Sequence, residues 1–389
     1  MRNIVLGGGV IGLSIAFELS SRGQNVVLIE QNKFGRKASW AGAGILMPAN
    51  RQTAIHPMEH LESIGHDAHR QWSKKLLQQT GIDNGFRQCG GLYIARTDGE
   101  SASLTGLLLE WKERRIEFQQ LDFAEFSNRF EHLAASTTDN ASFKAVWVPG
   151  ESQFTNPFHI KALIAACERL GVEMVEECGP ASVNVSQSRV ESVSIAGSSA
   201  DSFTGDNFFF AAGPWTEELV KPLGVPLPMQ PVRGQIAMYK IDTDHLPNDK
   251  LANGPIINEG SRYLVPRTDG HILAGATIEE AGFDCQTTPS EVAGLRNWAQ
   301  SVTPQLNETT FVKSWAGLRP GTYDGFPYLG RFESFENALV ATGHFKTGLQ
   351  LSTATAIVLA DLVEGKDPAV DLKPLSPSRA SDHQSNEIK

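Results

Sequence analysis

Gly7, Gly9 and Gly12 follow a short apolar run, Ile4 to Leu6, and precede residues 10–22, where Val10, Ile11, Leu13, Ile15, Ala16, Phe17 and Leu19 fall at helical spacing. A strand, a tight turn and a helix in that order form a phosphate cradle. Gly7 makes the turn, Gly9 lets a pyrophosphate lie against backbone, and Gly12 lets the helix pack closely on the sheet. The helix N-terminus adds free N–H groups and a positive dipole. Glu30 closes the next apolar run, Val26 to Ile29, where a carboxylate accepts hydrogen bonds from adenosine ribose hydroxyls and disfavours the 2′-phosphate of NADP. NAD and FAD share this pattern. FAD is favoured because the motif begins almost at Met1 and no nicotinamide-dehydrogenase constellation follows it.

The remaining elements are legible from periodicity. Gly23 ends the first helix, and residues 33–49 are rich in Gly, Ala and Ser, a composition suited to close backbone approach. A helix is expected at 58–80, a strand at Gly91 to Ala95, helices with loops over 100–150, and a helix at 157–171. Residues of β character then run to Phe208-FFAAG. Alternating strands fill 228–278 and indicate an antiparallel sheet with one exposed face. A helix at 290–305 and a strand, turn and helix over 338–365 complete the order, and the polar stretch 375–389 is expected to be disordered. No internal repeat is present.

The 389 residues carry 44 acidic and 34 basic side chains, a net charge of -10, so the chain repels polyanions and nucleic acid is not an expected partner. An anionic ligand must be met by a few local Arg or Lys residues. Cys89, Cys167, Cys178 and Cys285 lie far apart without zinc-site spacing, and read as reduced thiols with no metal site. The N-terminal apolar stretch, Ile4 to Leu19, contains four glycines and Glu18 and is too short to span a bilayer. A soluble, cytoplasmic protein without membrane contact is expected.

GGGVIGLSIAFEL with VVLIE, then ASWAGAGIL, FFFAAGPW, YLVPR, AGATIEEAGFD, WAGLRPGTYDGFPYLG and GHFKTGLQLSTATA occur in this order across residues 3–365. On these motifs the chain resembles the D-amino-acid oxidase family of FAD-dependent oxidoreductases, and within it the glycine oxidase branch, amine-oxidising enzymes of bacterial thiamine biosynthesis. The resemblance implies an α/β (α+β overall) fold in which a glutathione-reductase-like, Rossmann-type FAD domain (1–50, 150–225, 315–372) is interleaved with an antiparallel-sheet substrate domain (51–149, 226–314). It implies FAD contacts at Gly7, Gly9, Val10, Ile11 and Gly12, at Glu30 and Gln31, and at Ala38, Ser39, Ala43, Gly44 and Ile45. Ala181, or Val183 beside it, would lie on the adenine. His344, Phe345, Lys346, Thr347, Gly348, Leu349 and Gln350 would wrap the flavin ring. Arg319 would pair with the substrate carboxylate, Tyr263 would add a hydrogen bond to it, and Lys346 and Ile45 would shape the substrate pocket.

The implied reaction is oxidation of glycine, sarcosine or a small D-amino acid by hydride transfer to flavin N5, with no side chain as acid or base. Dioxygen takes the electrons to give hydrogen peroxide, and the imine hydrolyses to the 2-oxo acid or feeds thiamine thiazole synthesis. A homo-oligomer is compatible with this reading. Three positions depart from the glycine oxidase pattern: Lys346 stands for an arginine, Ile45 for a methionine over the substrate, and Ser261 for a histidine at the pocket edge. Other readings remain open. They are a D-amino-acid dehydrogenase using a quinone or protein acceptor, and a flavin-binding subunit without catalysis; a tRNA-modifying flavoprotein conflicts with the acidic charge. Relatives that tether FAD use a histidine after the loop tryptophan or a cysteine near the C-terminal flavin loop, whereas Ala41 follows Trp40 here and no cysteine follows Cys285. Non-covalent FAD is therefore expected: acid precipitation should leave a colourless pellet and a yellow supernatant, and a yellow pellet would contradict it.

Overall fold

The computed structural model describes residues 1–134, 140–196, 202–242 and 249–380. The first motif folds as its pattern demands. Strand Arg2–Leu6, helix Val10–Ser21 and strand Asn25–Ile29 form a unit in which both strands run parallel. A Cβ on Gly12 would stand 1.8 Å from the Gly7 carbonyl oxygen, so only glycine allows the helix to sit this close to the turn. Gly7, at φ +109, has the same restriction against Ala211. The helix is buried on nearly all sides, because helices cover it away from the sheet.

Two large sheets organise the molecule. A six-stranded sheet runs in the order Tyr328–Arg331, Ala338–Thr342, Asn207–Phe210, Arg2–Leu6, Asn25–Ile29, Glu173–Val175, parallel except for the hairpin at its first edge. The central strand residues Phe208, Phe209 and Phe210 are fully buried, as continuous apolar strands of parallel sheets are. An eight-stranded sheet runs Thr310–Gly321, Gln230–Lys240, His271–Gly275, Arg262–Pro266, Ile256–Glu259, Gly91–Ala95, Lys144–Val148, Gln119–Leu121. Its neighbours are antiparallel, with one parallel junction between Ile256–Glu259 and Gly91–Ala95. Two small three-stranded sheets complete the set; one of them joins Ile45–Leu46 and Arg87–Gln88 to Ser152–Gln153.

Several expectations need correction. Strands Gln119–Leu121 and Lys144–Val148 lie inside the stretch read as helices with loops, and they are too short and too interrupted to show a period of their own. Helix Pro57–Thr80, placed with the substrate segments by a boundary at 51, packs its Leu61, Ile64, Ala68, Trp72 and Leu76 stripe into the core beside the parallel sheet. Strand Thr310–Gly321 pairs along its length with Gln230–Lys240, so the eight-stranded sheet extends past the expected boundary at 315. The stretch expected to be disordered from 375 is packed as far as residue 380. There Arg379 pairs with Asp324 at 2.8 Å and lies over the Tyr328 ring, and Ala380 is fully buried. The rest of that stretch, 381–389, lies outside the described residues. All four cysteines are free thiols. Among the described residues no helix is long and apolar enough to cross a membrane.

Three fully enclosed histidines sit where helices meet the parallel sheet. His69 and His159 flank Phe154, the latter stacked on it at 4.3 Å, and His344 ends the turn after Ala338–Thr342. Burial pushes His69 and His344 down to about 4 and His159 down to about 3. In the unfolded chain each takes a proton near pH ~6.5, so between these values the unfolded state binds more protons and stability falls as pH drops. Glu151 acts with the opposite sign, because burial pushes its carboxyl up to about 7 and its contribution falls as pH rises. With three imidazoles against one carboxyl, the denaturant midpoint should be lower near pH ~5 than near pH ~7. His159→Phe should shrink that difference; an unchanged difference would place the proton uptake elsewhere.

Candidate functional site

A cavity of about 590 Å³ opens at the carboxyl ends of the parallel strands, lined by Leu6, Gly7, Ile29, Glu30, Ala211, Ala341 and Thr342 from four of them. Crevices at this end of an open α/β sheet are where dinucleotides bind. Two helices aim their N-termini into it: Val10–Ser21 through Gly9, Val10 and Ile11, and Gly348–Val363 through Gly348 and Leu349. Neither has an acidic residue in its first turn nor a side-chain cap, so both positive ends face the cavity. Ser39 Oγ accepts from the Val10 amide at 2.8 Å and joins the small-residue loop to the first helix. The Glu30 carboxylate accepts from the Gly8 and Asn32 amides, each at 2.8 Å, which fixes it at the rim.

These features fit FAD. Glycine surfaces at Gly7 and Gly9 admit a pyrophosphate beside one helix N-terminus, and the second N-terminus suits the electron-rich end of a flavin. His344 lines the cavity with Nε2 on Thr355 Oγ1 at 3.0 Å, while its buried Nδ1 has no hydrogen-bond partner among the described residues. Phe345 adopts φ +46, a conformation costly for a side-chain-bearing residue, and its amide is tied to the Pro320 carbonyl at 2.9 Å. This bond couples the loop to the end of the strand that carries Arg319.

Arg319 is the decisive side chain. Its Nη1 donates to the carbonyls of Thr277 at 3.0 Å and Arg233 at 3.3 Å, and among the described residues it makes no ion pair. Glu279, the acid that acts on it, is engaged by its neighbour. Arg233 holds Glu279 and Asp284 at 2.7 Å each, and Glu279 also accepts from Gln235 at 2.8 Å and from Thr277. Burial lowers the Arg319 pKa, with Tyr263 and Glu279 acting against it. A guanidinium held in a cavity without an acid has the charge and fork geometry to receive a carboxylate. Gly234 makes the space, since a Cβ there would stand 2.2 Å from Arg319 Nη2. Lys346 lines the same cavity, and burial together with the Arg319 charge lowers its pKa.

Of the residues expected at the cofactor, Gly7, Gly9, Val10, Ile11, Glu30, Gln31, Ala38, Ser39, Ala181, His344, Phe345, Lys346, Gly348 and Leu349 line the cavity together with Arg319. Ala181 faces it, while Val183 on the same strand is buried in the core behind. Others stand back from the wall. Gly12 is a packing residue, Thr347 stands just before the helix with its hydroxyl donating to the His344 carbonyl at 3.0 Å, and Gln350 turns to Met47. Ala43, Ile45 and Tyr263 share an adjoining apolar cluster with Trp315, and Gly44 lies between Ala43 and Ile45, tied to Phe154. Tyr263 senses Arg319: burial raises its pKa while the Arg319 and Arg267 charges pull it down. Ser261, expected at the pocket edge, is exposed in the turn between Ile256–Glu259 and Arg262–Pro266.

Sequence reasoning missed Lys37 and Trp215 on the wall and Asn156 behind it. The Asn156 amide donates to the Ser39 and Trp40 carbonyls at 3.1 Å and to that of Gly42 at 2.5 Å, closing the short helix Ala38–Ala41. Trp215 had a signal in the AAGPW that follows a buried strand; Asn156 had none, because a side chain that satisfies carbonyls far along the chain leaves no periodic trace.

Residues 2–362 match the family model DAO, FAD dependent oxidoreductase. A glycine oxidase of Pseudomonas aeruginosa is 34% identical, over 97% of this chain and 98% of that protein. A bifunctional protein ThiO/ThiG of Synechocystis is 29% identical over 97% of this chain and 53% of its own length. The crystal structure of glycine oxidase from Geobacillus kaustophilus superposes with a TM-score of 0.87 at 29% identity, covering 97% of this chain and 99% of that one.

Gly234→Ala tests the space made for Arg319. The added methyl meets the mobile end of a side chain, so the fold should persist while carboxylate affinity falls about tenfold, roughly 1.4 kcal/mol. Unaltered affinity in the folded variant would mean that the guanidinium is placed by other contacts.

Proposed function

The chain belongs to the DAO family of FAD-dependent oxidoreductases, and from that premise we propose that it oxidises a small amino acid, glycine or a close N-alkyl or D-amino relative, with dioxygen as electron acceptor. The observation that carries this reading is the unpaired Arg319 in the cavity that suits FAD. The similarity to glycine oxidases over nearly the whole chain supports the same substrate class.

In this reading the Arg319 fork takes both oxygens of the substrate carboxylate, and Tyr263, on the same eight-stranded sheet, donates its hydroxyl to the same group. Two fixed contacts at one end of a small molecule orient the α-carbon, and orientation supplies much of the rate. Ile45 and Lys346 set the size and charge of the space that remains. Bound FAD supplies a two-electron hydride acceptor at N5 and reactivity toward dioxygen. The helix Gly348–Val363 directs its positive end toward the cofactor and stabilises added negative charge there. Neutral His344, held down to about 4 by burial, adds hydrogen-bonding capacity without charge. No side chain is assigned as acid or base. FAD is held without a covalent bond, and the imine product serves hydrolysis or thiamine thiazole assembly; the bifunctional relative supports the latter.

The test is a panel of glycine, sarcosine and small D-amino acids added anaerobically to the yellow protein, followed by air. Bleaching by at least one of them and stoichiometric peroxide on aeration are expected. Bleaching without peroxide assigns a dehydrogenase with another acceptor, and no bleaching by any amine overturns amine oxidation.

A further inference from the structure

A second cation without an acid lies beneath the small-residue loop. Arg267 follows strand Arg262–Pro266 and is 6% exposed. Among the described residues it makes no ion pair, and its side chain bonds to neutral oxygens: Nη2 donates to the Ala43 carbonyl at 2.6 Å, and Nη1 to the Phe154 carbonyl at 2.8 Å and to Gln153 Oε1 at 2.6 Å. Burial and the nearby Arg87 charge push its pKa down to about 10, so the fold bears a cost to keep it there.

What the guanidinium joins explains the cost. Ala43 belongs to the loop that the family places against the flavin, and the next residue, Gly44 at φ +69, accepts from the Phe154 amide at 3.0 Å. Ile45 pairs with Gln153, whose amide donates in turn to the Pro266 carbonyl at 2.9 Å. The strand that ends at Pro266 carries Tyr263. A single side chain thus fastens the cofactor loop to the strand of the substrate tyrosine. Its two nitrogens reach two carbonyls that an ammonium could not hold together in a fixed plane.

We propose that Arg267 is a positioning residue that sets the spacing between the Ala43–Ile45 loop and the Tyr263 strand, and through it the distance from the substrate α-carbon to the flavin. This rests on the function proposed above. Hydride transfer depends steeply on that distance: a misplacement of ~1 Å costs roughly 100-fold, whereas the carboxylate contact at Arg319 is left in place.

Arg267→Lys in the FAD-loaded protein keeps the charge and removes the fork. Its anaerobic bleaching rate with the best amine should fall roughly 100-fold, while affinity for glycolate, a carboxylate without an amine, falls no more than about tenfold, the share of the Tyr263 hydrogen bond, because Arg319 keeps its contact. The visible circular dichroism of bound FAD should change as well, whether or not an amine is oxidised. A parental bleaching rate, an unchanged dichroism band, or glycolate affinity falling in step with the rate would each overturn the assignment. Where the lysine variant does not retain FAD, Gln153→Met removes one of the three acceptors and should slow bleaching about tenfold; a parental rate there overturns it equally. Failure of the parent protein to bleach with any amine counts against the proposed function, and the dichroism comparison still decides the role of Arg267.

Discussion

Arg319 has no acid among the described residues, and its neighbour Arg233 holds two. The two arginines lie on adjacent strands one register apart, yet Glu279 and Asp284 both converge on Arg233, and Glu279 is further occupied by Gln235 and Thr277. A network that had shared those carboxylates would have neutralised Arg319 and closed the cavity to an anion. Gly234 completes the arrangement by leaving the volume beside its strand to the guanidinium. The rest of the site works around this uncompensated charge. In a protein of net charge -10, it marks the place where a small anion is favoured.

The two sheets divide the work by their nature. A parallel sheet ends in helix N-termini, which supply positive ends and amide hydrogens without side chains, and two of these converge on the cavity. The eight-stranded sheet supplies side chains from defined faces, and strand Thr310–Gly321 brings Arg319 to the cavity while Trp315 on the same strand donates to the Ala41 carbonyl at 3.0 Å. Small residues lie between, where a Cβ on Gly317 would stand 2.5 Å from Ala41 and one on Gly44 would stand 2.1 Å from the Phe154 carbonyl oxygen. The junction is held by buried polar side chains, Asn156 from one side and Arg267 from the other.

Features that depend on neighbours along the chain are legible in the residues themselves. The three glycines, the helix they open and Glu30 belong to one local unit, and Gly7 and Gly12 have the steric reason expected of a turn and of close helix packing, while a Cβ on Gly9 would meet only Ser39 Oγ at 3.2 Å. Features that depend on distant partners are not legible in this way. Arg319 looks like any arginine until Arg233 is seen to hold the acids, and the short strand Lys144–Val148 acquires its identity only by pairing with Gly91–Ala95. The same holds for Gln350, which family resemblance places at the flavin, but whose side chain turns to Met47 while its carbonyl meets His69 at 2.9 Å. Arg379 keeps the start of the polar tail, expected to be disordered, in place through Asp324, an acid 55 residues away.

The unpaired guanidinium can be interrogated without turnover. Titrating the FAD-loaded protein with glycolate and following the flavin absorbance reports carboxylate binding alone, and Arg319→Met removes the fork while keeping much of the side-chain volume. Loss of two charge-assisted hydrogen bonds, about 1.5 kcal/mol or more each, should weaken glycolate at least about 100-fold. Equal affinity in the two proteins would contradict the carboxylate role of Arg319, and with it the reading of the site built around that charge.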